Sequence, residues 1–369
     1  MTGSKPIVAH LIYRFDIGGL ERVMVNSINA MQNEEYQHVV ISLTDVSDFA
    51  EHLNDSVDVY QLNKKSGKDL KSHWRLFKLL RKIKPNLLHT YNLATIEYHP
   101  ISALAGVKAH LHAEHGRDIK DPKGLNKKHN LLRRLMSPFI EYFIPVSDDL
   151  LGWLKQVVNI KAQKLVLIRN GININGFYRQ RDSDDIIKFI HVARLDRVKN
   201  QAGLISSFVH LVKKNNLSHE NVHLTIVGDG EEMNCLNLLV TELSAEDYIE
   251  FTGARDDIAL LLSNADVFIL SSIAEGIPMT VLEAMASSLP VVSTNVGGLS
   301  ELITDNKNGF LVDKQNIEAL SGAMENYIKH PQLIMQHGEQ ARSFIENNFS
   351  EQSMVDQYRT LYKKSLRQS

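Results

Sequence analysis

The stretch Val267-Phe268-Ile269-Leu270-Ser271-Ser272-Ile273-Ala274-Glu275-Gly276-Ile277-Pro278-Met279-Thr280-Val281-Leu282-Glu283-Ala284-Met285-Ala286 decides how the rest of the chain is read. Its first four residues are apolar without a break, as in a strand buried on both faces. Pro278 suits the first turn of a helix, where its missing N–H costs nothing. The amides of Met279 and Thr280 would then point out of the helix start. With the helix dipole they make an anion site suited to a diphosphate. Glu275 falls in the loop and Glu283 in the helix. Eight residues apart, they cannot form one simple face pair, but they can flank an extended ligand from two directions. A carboxylate accepts hydrogen bonds from neighbouring hydroxyls, the chemistry of holding a ribose or a hexose. A solvated loop Glu and a surface helix Glu are the plainer reading. The apolar neighbours on both sides of Glu283 weigh against it there.

The same strand–helix rhythm runs outward in both directions. Strands are predicted over residues 186–192, 222–227, 249–251, 267–270, 291–294 and 309–312, with helices over 201–214, 231–243, 278–287, 317–329 and 332–347. Upstream, strands are predicted over 7–13, 39–43, 57–62, 86–90, 109–114 and 142–146, with amphipathic helices over 20–31 and 70–83. This alternation predicts an α/β protein of two tandem doubly wound, Rossmann-like parallel-sheet domains facing a cleft, with ligands beyond the carboxyl ends of the strands. The rhythm weakens over 164–181, where a strand at 164–168, the turn signal Asn170-Gly171 and a charged stretch at 179–185 read as a linker. Domains are placed at 1–175 and 176–350.

The bulk numbers agree with two domains. The chain has 369 residues, 43% hydrophobic and 23% charged. Its net charge of −2 splits into +8 over residues 1–179 and −10 over the remainder. The single cysteine, Cys235, excludes an intramolecular disulfide framework and fits a reducing compartment. Its apolar helical setting predicts a buried structural thiol. No apolar run reaches the roughly 18 residues of a membrane span. The short polar start ahead of the first strand is not read as a signal peptide.

After the first strand of the second domain, Arg194 and Lys199 fall at a strand end and a helix start, the ligand edge of the sheet, where cations can stabilise a departing diphosphate. Arg197 reads as a solvated cation. In the first domain Gly18-Gly19, between the first strand and a helix, allows close backbone approach to a phosphate or an acceptor. It lacks the third glycine of a dinucleotide fingerprint, and a plain turn stays equally open. His115 ends a strand on the ligand edge. His110 and His112 precede it, and the spacing is read as placing all three on one face; no recognisable metal-ligand pattern completes the set.

These motifs, in this order, resemble glycosyltransferase family 4, the retaining enzymes of GT-B fold, in members of the bacterial surface-polysaccharide type. The resemblance covers essentially the whole chain. It rests on Gly18-Gly19-Leu20-Glu21, His115-Gly116, Arg194 with Lys199, and Glu275-x7-Glu283. Supporting pieces are Val146-Ser147, Asn170-Gly171-Ile172, Gly228-Asp229-Gly230, Phe251-Thr252-Gly253 and Gly297-Gly298. It implies that Glu275 holds donor sugar hydroxyls and Glu283 the ribose. Arg194 and Lys199 would neutralise the diphosphate, which rests on the Gly276-Ile277-Pro278 loop and the Met279 and Thr280 amides. Gly253, Ala254 and Arg255 would lie against the base, Gly18 and Gly19 near the phosphates or acceptor, and His115 at the reaction centre. It further implies retention of configuration, no metal or other cofactor, and a C-terminal helix at about 351–366 crossing back to the first domain.

The function expected is therefore transfer of a sugar from a nucleoside-diphosphate sugar, UDP-sugar first, to a glycan or lipid-linked glycan acceptor. A sugar-nucleotide epimerase of the same fold and a non-catalytic scaffold remain as alternatives. Residues 64–84 carry nine Lys/Arg and one Asp, and 118–134 form another basic stretch. Such a face could dock on an anionic membrane, at about 1 kcal/mol per basic residue, or simply be solvated. The expected location is cytoplasmic, peripheral at the inner face of the plasma membrane. Nucleic acid is not expected, since aromatics do not interleave with these cations. Sugar, base and acceptor are not legible.

Overall fold

The computed structural model describes residues 5–32, 35–118, 121–180 and 186–368. They fall into two units, Met1–Gly171 with Glu351–Ser369, and Ile172–Ser350. Part of the charged stretch predicted at 179–185, and part of the basic stretch 118–134, lie outside the described residues.

The first unit holds a parallel sheet of six strands: β1 (Ile7–Ile12), β2 (Gln37–Ser42), β3 (Asp58–Gln61), β4 (Leu87–Tyr91), β5 (Ala109–Glu114) and β6 (Tyr142–Pro145). Their order is β3-β2-β1-β4-β5-β6, so the chain reverses direction across the sheet between β1 and β4. β4 and β5 are buried at every position; β5 alternates apolar and polar residues, and its buried His110, His112 and Glu114 are paired in the interior. Asp69 caps the Leu70–Ile83 helix by accepting from Lys71 N–H at 3.0 Å.

The second unit repeats the plan with β7 (Ile187–Val192), β8 (Val222–Val227), β9 (Ile249–Gly253), β10 (Val267–Leu270), β11 (Val291–Thr294) and β12 (Gly309–Val312). Their order is β12-β11-β10-β7-β8-β9, with the reversal between β7 and β10. Phe189, Phe208, Leu224, Val267 and Tyr327 belong to one buried cluster that joins sheet to helices.

The Glu351–Gln368 helix packs on the Gly19–Met31 helix and on β4 and β5, so residues from the far end of the chain complete the first unit's core. Tyr362 reaches His89 Nδ1 at 2.9 Å. Behind it Tyr91, His10 and His38 continue a chain of buried hydrogen bonds, with His10 Nδ1 2.7 Å from Tyr91 OH and His10 Nε2 2.9 Å from His38 Nδ1.

Three expectations are corrected. Residues 164–168 form no strand. Val166 N–H donates to Phe143 O at 3.0 Å and Ile168 N–H to Pro145 O at 3.2 Å, leaving a single bridge. The next return bond would need an amide hydrogen that Pro145 does not have. Cys235 is exposed, not buried. Its helix, Met233–Glu242, turns only Leu236 and Val240 inward. Finally, His110 and His112 share their face with Glu114, not with His115, because strand side chains alternate.

Candidate active site

In doubly wound sheets the ligand crevice opens at the carboxyl ends of the strands where the order reverses. In the second unit those strands are β7 and β10. The segment after β7 carries Arg194 and Lys199, and the segment after β10 carries Glu275.

Lys199 Nζ donates to Glu275 Oε1 at 2.7 Å. Ser272 Oγ donates to the same oxygen at 2.5 Å. Only 8% of the Glu275 side chain is exposed, so the pair is largely desolvated. Main-chain and hydroxyl hydrogen bonds tie the two segments to each other and to β11. Ile273 N–H donates to Val198 O at 2.7 Å. Ser271 Oγ donates to Lys199 O at 2.9 Å, and Thr294 Oγ1 to Ser272 O at 2.6 Å. Gly297 closes the arrangement from β11. A Cβ there would lie 2.0 Å from Glu275 O, and its φ of +55° favours glycine. Gly298 N–H donates to Gly276 O at 3.0 Å.

Pro278 precedes the Met279–Ala286 helix, which has no side-chain cap. The first helical bonds are Val281 N–H and Leu282 N–H to Pro278 O. The amides of Met279 and Thr280 therefore donate to nothing among the described residues, and they face a helix start with a positive dipole end. Every residue of this helix except Thr280 is buried, Glu283 included at 8% exposure. The apolar neighbours of Glu283 do reflect a buried helix, and a carboxylate in such a place must be hydrogen-bonded.

Arg194 stands apart from this cluster. Its side chain is 72% exposed, with Asp196 3.6 Å away. Arg197 is also exposed and pairs with Glu232 at 3.1 Å. At the end of β9, Gly253 has a φ of +71° with open space where a Cβ would stand. Its carbonyl accepts from Gly228 N–H at 2.8 Å. Ala254 and Arg255 follow, exposed, and Arg255 is engaged with Asp257 at 2.6 Å.

In the first unit, Gly18 and Gly19 begin the Gly19–Met31 helix, beyond β1 at that unit's own reversal point. Ile17, just before them, and Tyr13, just after β1, are exposed. His115 follows β5. Both of its ring nitrogens are buried with no partner among the described residues. Burial pushes the imidazole down to about 4, against the pull of the Glu114 charge, so it is neutral at pH 7. A neutral imidazole offers one donor and one acceptor to a substrate hydroxyl. Its main-chain N–H donates to Asn92 Oδ1 at 2.8 Å. His110 and His112 are already occupied. His110 meets His99 and Val107 O, while His112 meets Thr90 and Glu114. Glu114 is fully buried and paired with Arg133 at 2.5 Å.

The sequence alone does not mark Ser272, Gly297 or Asn92 as site residues. Ser272 carries no spacing signal. Gly297-Gly298 was legible as a glycine pair after a strand, the usual mark of a close main-chain approach.

Residues 179–348 match the family model of glycosyl transferases group 1, and residues 17–175 match that of Glycosyltransferase Family 4. The chain is 27% identical over 387 residues to the UDP-Gal:alpha-D-GlcNAc-diphosphoundecaprenol alpha-1,3-galactosyltransferase of Escherichia coli, covering 98% of this chain and 97% of that enzyme. It is 28% identical over 214 residues to N-acetyl-alpha-D-glucosaminyl L-malate synthase of Bacillus anthracis, covering 58% of this chain and 54% of that one. The structure of Anabaena HepE in complex with UDP and glucose superimposes with a TM-score of 0.83 at 20% identity, covering 97% of this chain and 100% of that one. The chain belongs to glycosyltransferase family 4, with the two-domain α/β architecture of the GT-B enzymes, and it is a glycosyltransferase.

Proposed function

We propose that the chain transfers a sugar from a nucleoside-diphosphate sugar, UDP-sugar first, to a glycan or lipid-linked glycan acceptor, with retention at the anomeric carbon. The observation that carries this reading is the Lys199–Glu275 pair beside the uncapped helix start after Pro278. A cation and two unpartnered amides fit a diphosphate, and a buried carboxylate oriented by Ser272 and Lys199 fits sugar hydroxyls. Glu283 holds the ribose, Gly253, Ala254 and Arg255 lie against the base, and Arg194 swings onto the diphosphate when donor binds. The name of the Escherichia coli relative supports a UDP-sugar and a lipid-linked acceptor, and that of the HepE complex supports UDP.

In the transfer, the bond from the anomeric carbon to the diphosphate oxygen breaks, and the acceptor oxygen bonds to the same face. The acceptor proton passes to the departing diphosphate. Lys199, Arg194 and the helix start stabilise the charge that develops on that leaving group. His115 hydrogen-bonds the sugar and Gly18-Gly19 admits the acceptor. A thermal-shift screen across nucleoside diphosphates and their sugars tests the donor side, and the anomeric configuration of the product tests retention. Indifference to every nucleotide would overturn the reading.

We also propose that the first unit docks on an anionic membrane through residues 64–84. Its Leu70–Ile83 helix exposes Lys71, Trp74, Lys78, Arg81 and Lys82 together with Leu70, itself 82% exposed. Cations beside an exposed indole and a leucine suit an anionic interface. Flotation with phosphatidylglycerol vesicles at low salt tests it, with Trp74→Ala expected to weaken capture. No capture of the wild-type chain would remove this surface.

A further inference from the structure

The backbone of Asn92 stands in a conformation that residues with a Cβ avoid. Its φ is 57° and its ψ 174°, a region populated almost only by glycine. Asn92 lies immediately after β4, at the strand-order reversal of the first unit. The surrounding bonds hold it there. Its N–H donates to Ala113 O at 2.8 Å, and its carbonyl accepts from Thr95 N–H at 3.3 Å. Thr95 Oγ1 in turn accepts from Tyr91 N–H at 2.9 Å.

Glycine would adopt this backbone without strain. What asparagine adds is Oδ1, and Oδ1 accepts the main-chain N–H of His115, 23 residues on, at 2.8 Å. We propose that Asn92 is a positioning residue, its strained backbone aiming a side chain that fixes His115 at the ligand edge of the sheet. The proposal rests on the reading of His115 as a residue that meets the sugar. It explains how an imidazole with no ring partner keeps one place: Asn92 ties its main chain, and the Tyr91 ring lies 5.9 Å from its own. The side chain chosen is one that strain alone would remove.

Three variants test this. Asn92→Gly keeps the backbone and removes the tether. Asn92→Asp keeps an acceptor oxygen. His115→Ala removes the group being positioned. For Asn92→Gly we expect a melting temperature equal to or above wild type and unchanged UDP binding. We expect donor turnover, read as UDP released from the sugar nucleotide chosen by the screen, to fall 10- to 100-fold at unchanged donor KM. Asn92→Asp should restore most of it. A readout free of substrate is the pH titration of the His115 ring by nuclear magnetic resonance. Its midpoint should move up from about 4 toward the ordinary histidine range in Asn92→Gly and return in Asn92→Asp. An unmoved midpoint, an Asn92→Asp variant no better than Asn92→Gly, or an Asn92→Gly variant that does not fold would each overturn the inference. If His115→Ala leaves turnover intact, it is the reading of His115 that fails. If His115→Ala lowers turnover and Asn92→Gly does not, only the role of Asn92 fails.

Discussion

Lys199 and Glu275, 76 residues apart in the chain, meet at 2.7 Å where the second sheet reverses its strand order. The ammonium is partly exposed and the carboxylate nearly covered, so the cation keeps room for a further anionic partner. Replacing Lys199 with Met should lower kcat/KM about 10²- to 10³-fold, the usual cost of removing one preorganised charge stabiliser. Steady-state kinetics with a fixed acceptor measures it; a loss below threefold would remove Lys199 from the reaction.

The two carboxylates should separate in their effects. Glu283→Ala is expected to raise the Kd for UDP about tenfold or more, the worth of a hydrogen bond to a charged group. Glu275→Ala is expected to leave UDP affinity within about threefold and to act on turnover. Calorimetry with UDP beside product formation distinguishes them, and equal effects in both assays would sink the division of roles.

Gly297 offers a test of the loop without touching a charged group. A methyl group there would collide with the Glu275 carbonyl at 2.0 Å in a backbone with φ of +55°. Gly297→Ala should therefore displace Glu275 and lower kcat at least tenfold while the far-ultraviolet circular dichroism spectrum stays as it is. Full activity in this variant would mean that the loop tolerates movement.

The Glu114–Arg133 pair tests the first unit. Burial pushes the Glu114 carboxyl up, but Arg133 and His112 outweigh it and hold it at about 2. Against its ordinary value of 4.5, the pair's contribution is present above that pH and is lost as pH falls toward about 2. Arg133→Met leaves a carboxylate buried without its cation, at a cost of about 3–5 kcal/mol. Urea unfolding at pH 7 should show this loss. The difference from wild type should shrink below about pH 5, as the stranded carboxyl takes up a proton.

Histidine burial sets a second pH dependence. His10, His38, His89 and His99 lie in the first unit with burial pushing each of them down, His38 to about 3. Below pH 6.5 the unfolded chain binds protons at these rings and the folded chain does not, so stability falls as pH drops from 6.5 and is indifferent to them above it. Each such ring steepens the loss in that window. Both tryptophans, Trp74 and Trp153, belong to the first unit. Tryptophan fluorescence should thus report its thermal unfolding moving sharply down between pH 6.5 and 4.5. A flat profile there would contradict the buried neutral rings.

Much of this was legible in the residue order. The strands 109–114, 222–227, 267–270, 291–294 and 309–312 stand where the sequence places them, the plainest being 267–270, apolar throughout and buried at every position. Lys199, Glu275 and the helix start after Pro278 were legible because a reversal point collects the loops of two strands. What stayed hidden was set by distant partners. Residues 164–168 have strand composition, yet Pro145 on the neighbouring strand denies them a ladder. Cys235 looked internal because its neighbours are apolar, but the face of its helix is chosen by Leu236 and Val240. Asn92 reads as an ordinary turn residue until its dihedral angles and its bond to His115 are seen together.

The Glu351–Gln368 helix has a consequence for how the molecule comes into being. Tyr358 and Tyr362 close over His89, a residue made some 270 positions earlier. The first sheet therefore emerges from the ribosome with its histidine-rich interior uncovered, and it stays so through synthesis of the whole second unit. That second unit is continuous in the chain and can mature while the first waits. A chain cut short just before this helix would carry a second unit whole in sequence beside a first unit that lacks part of its core.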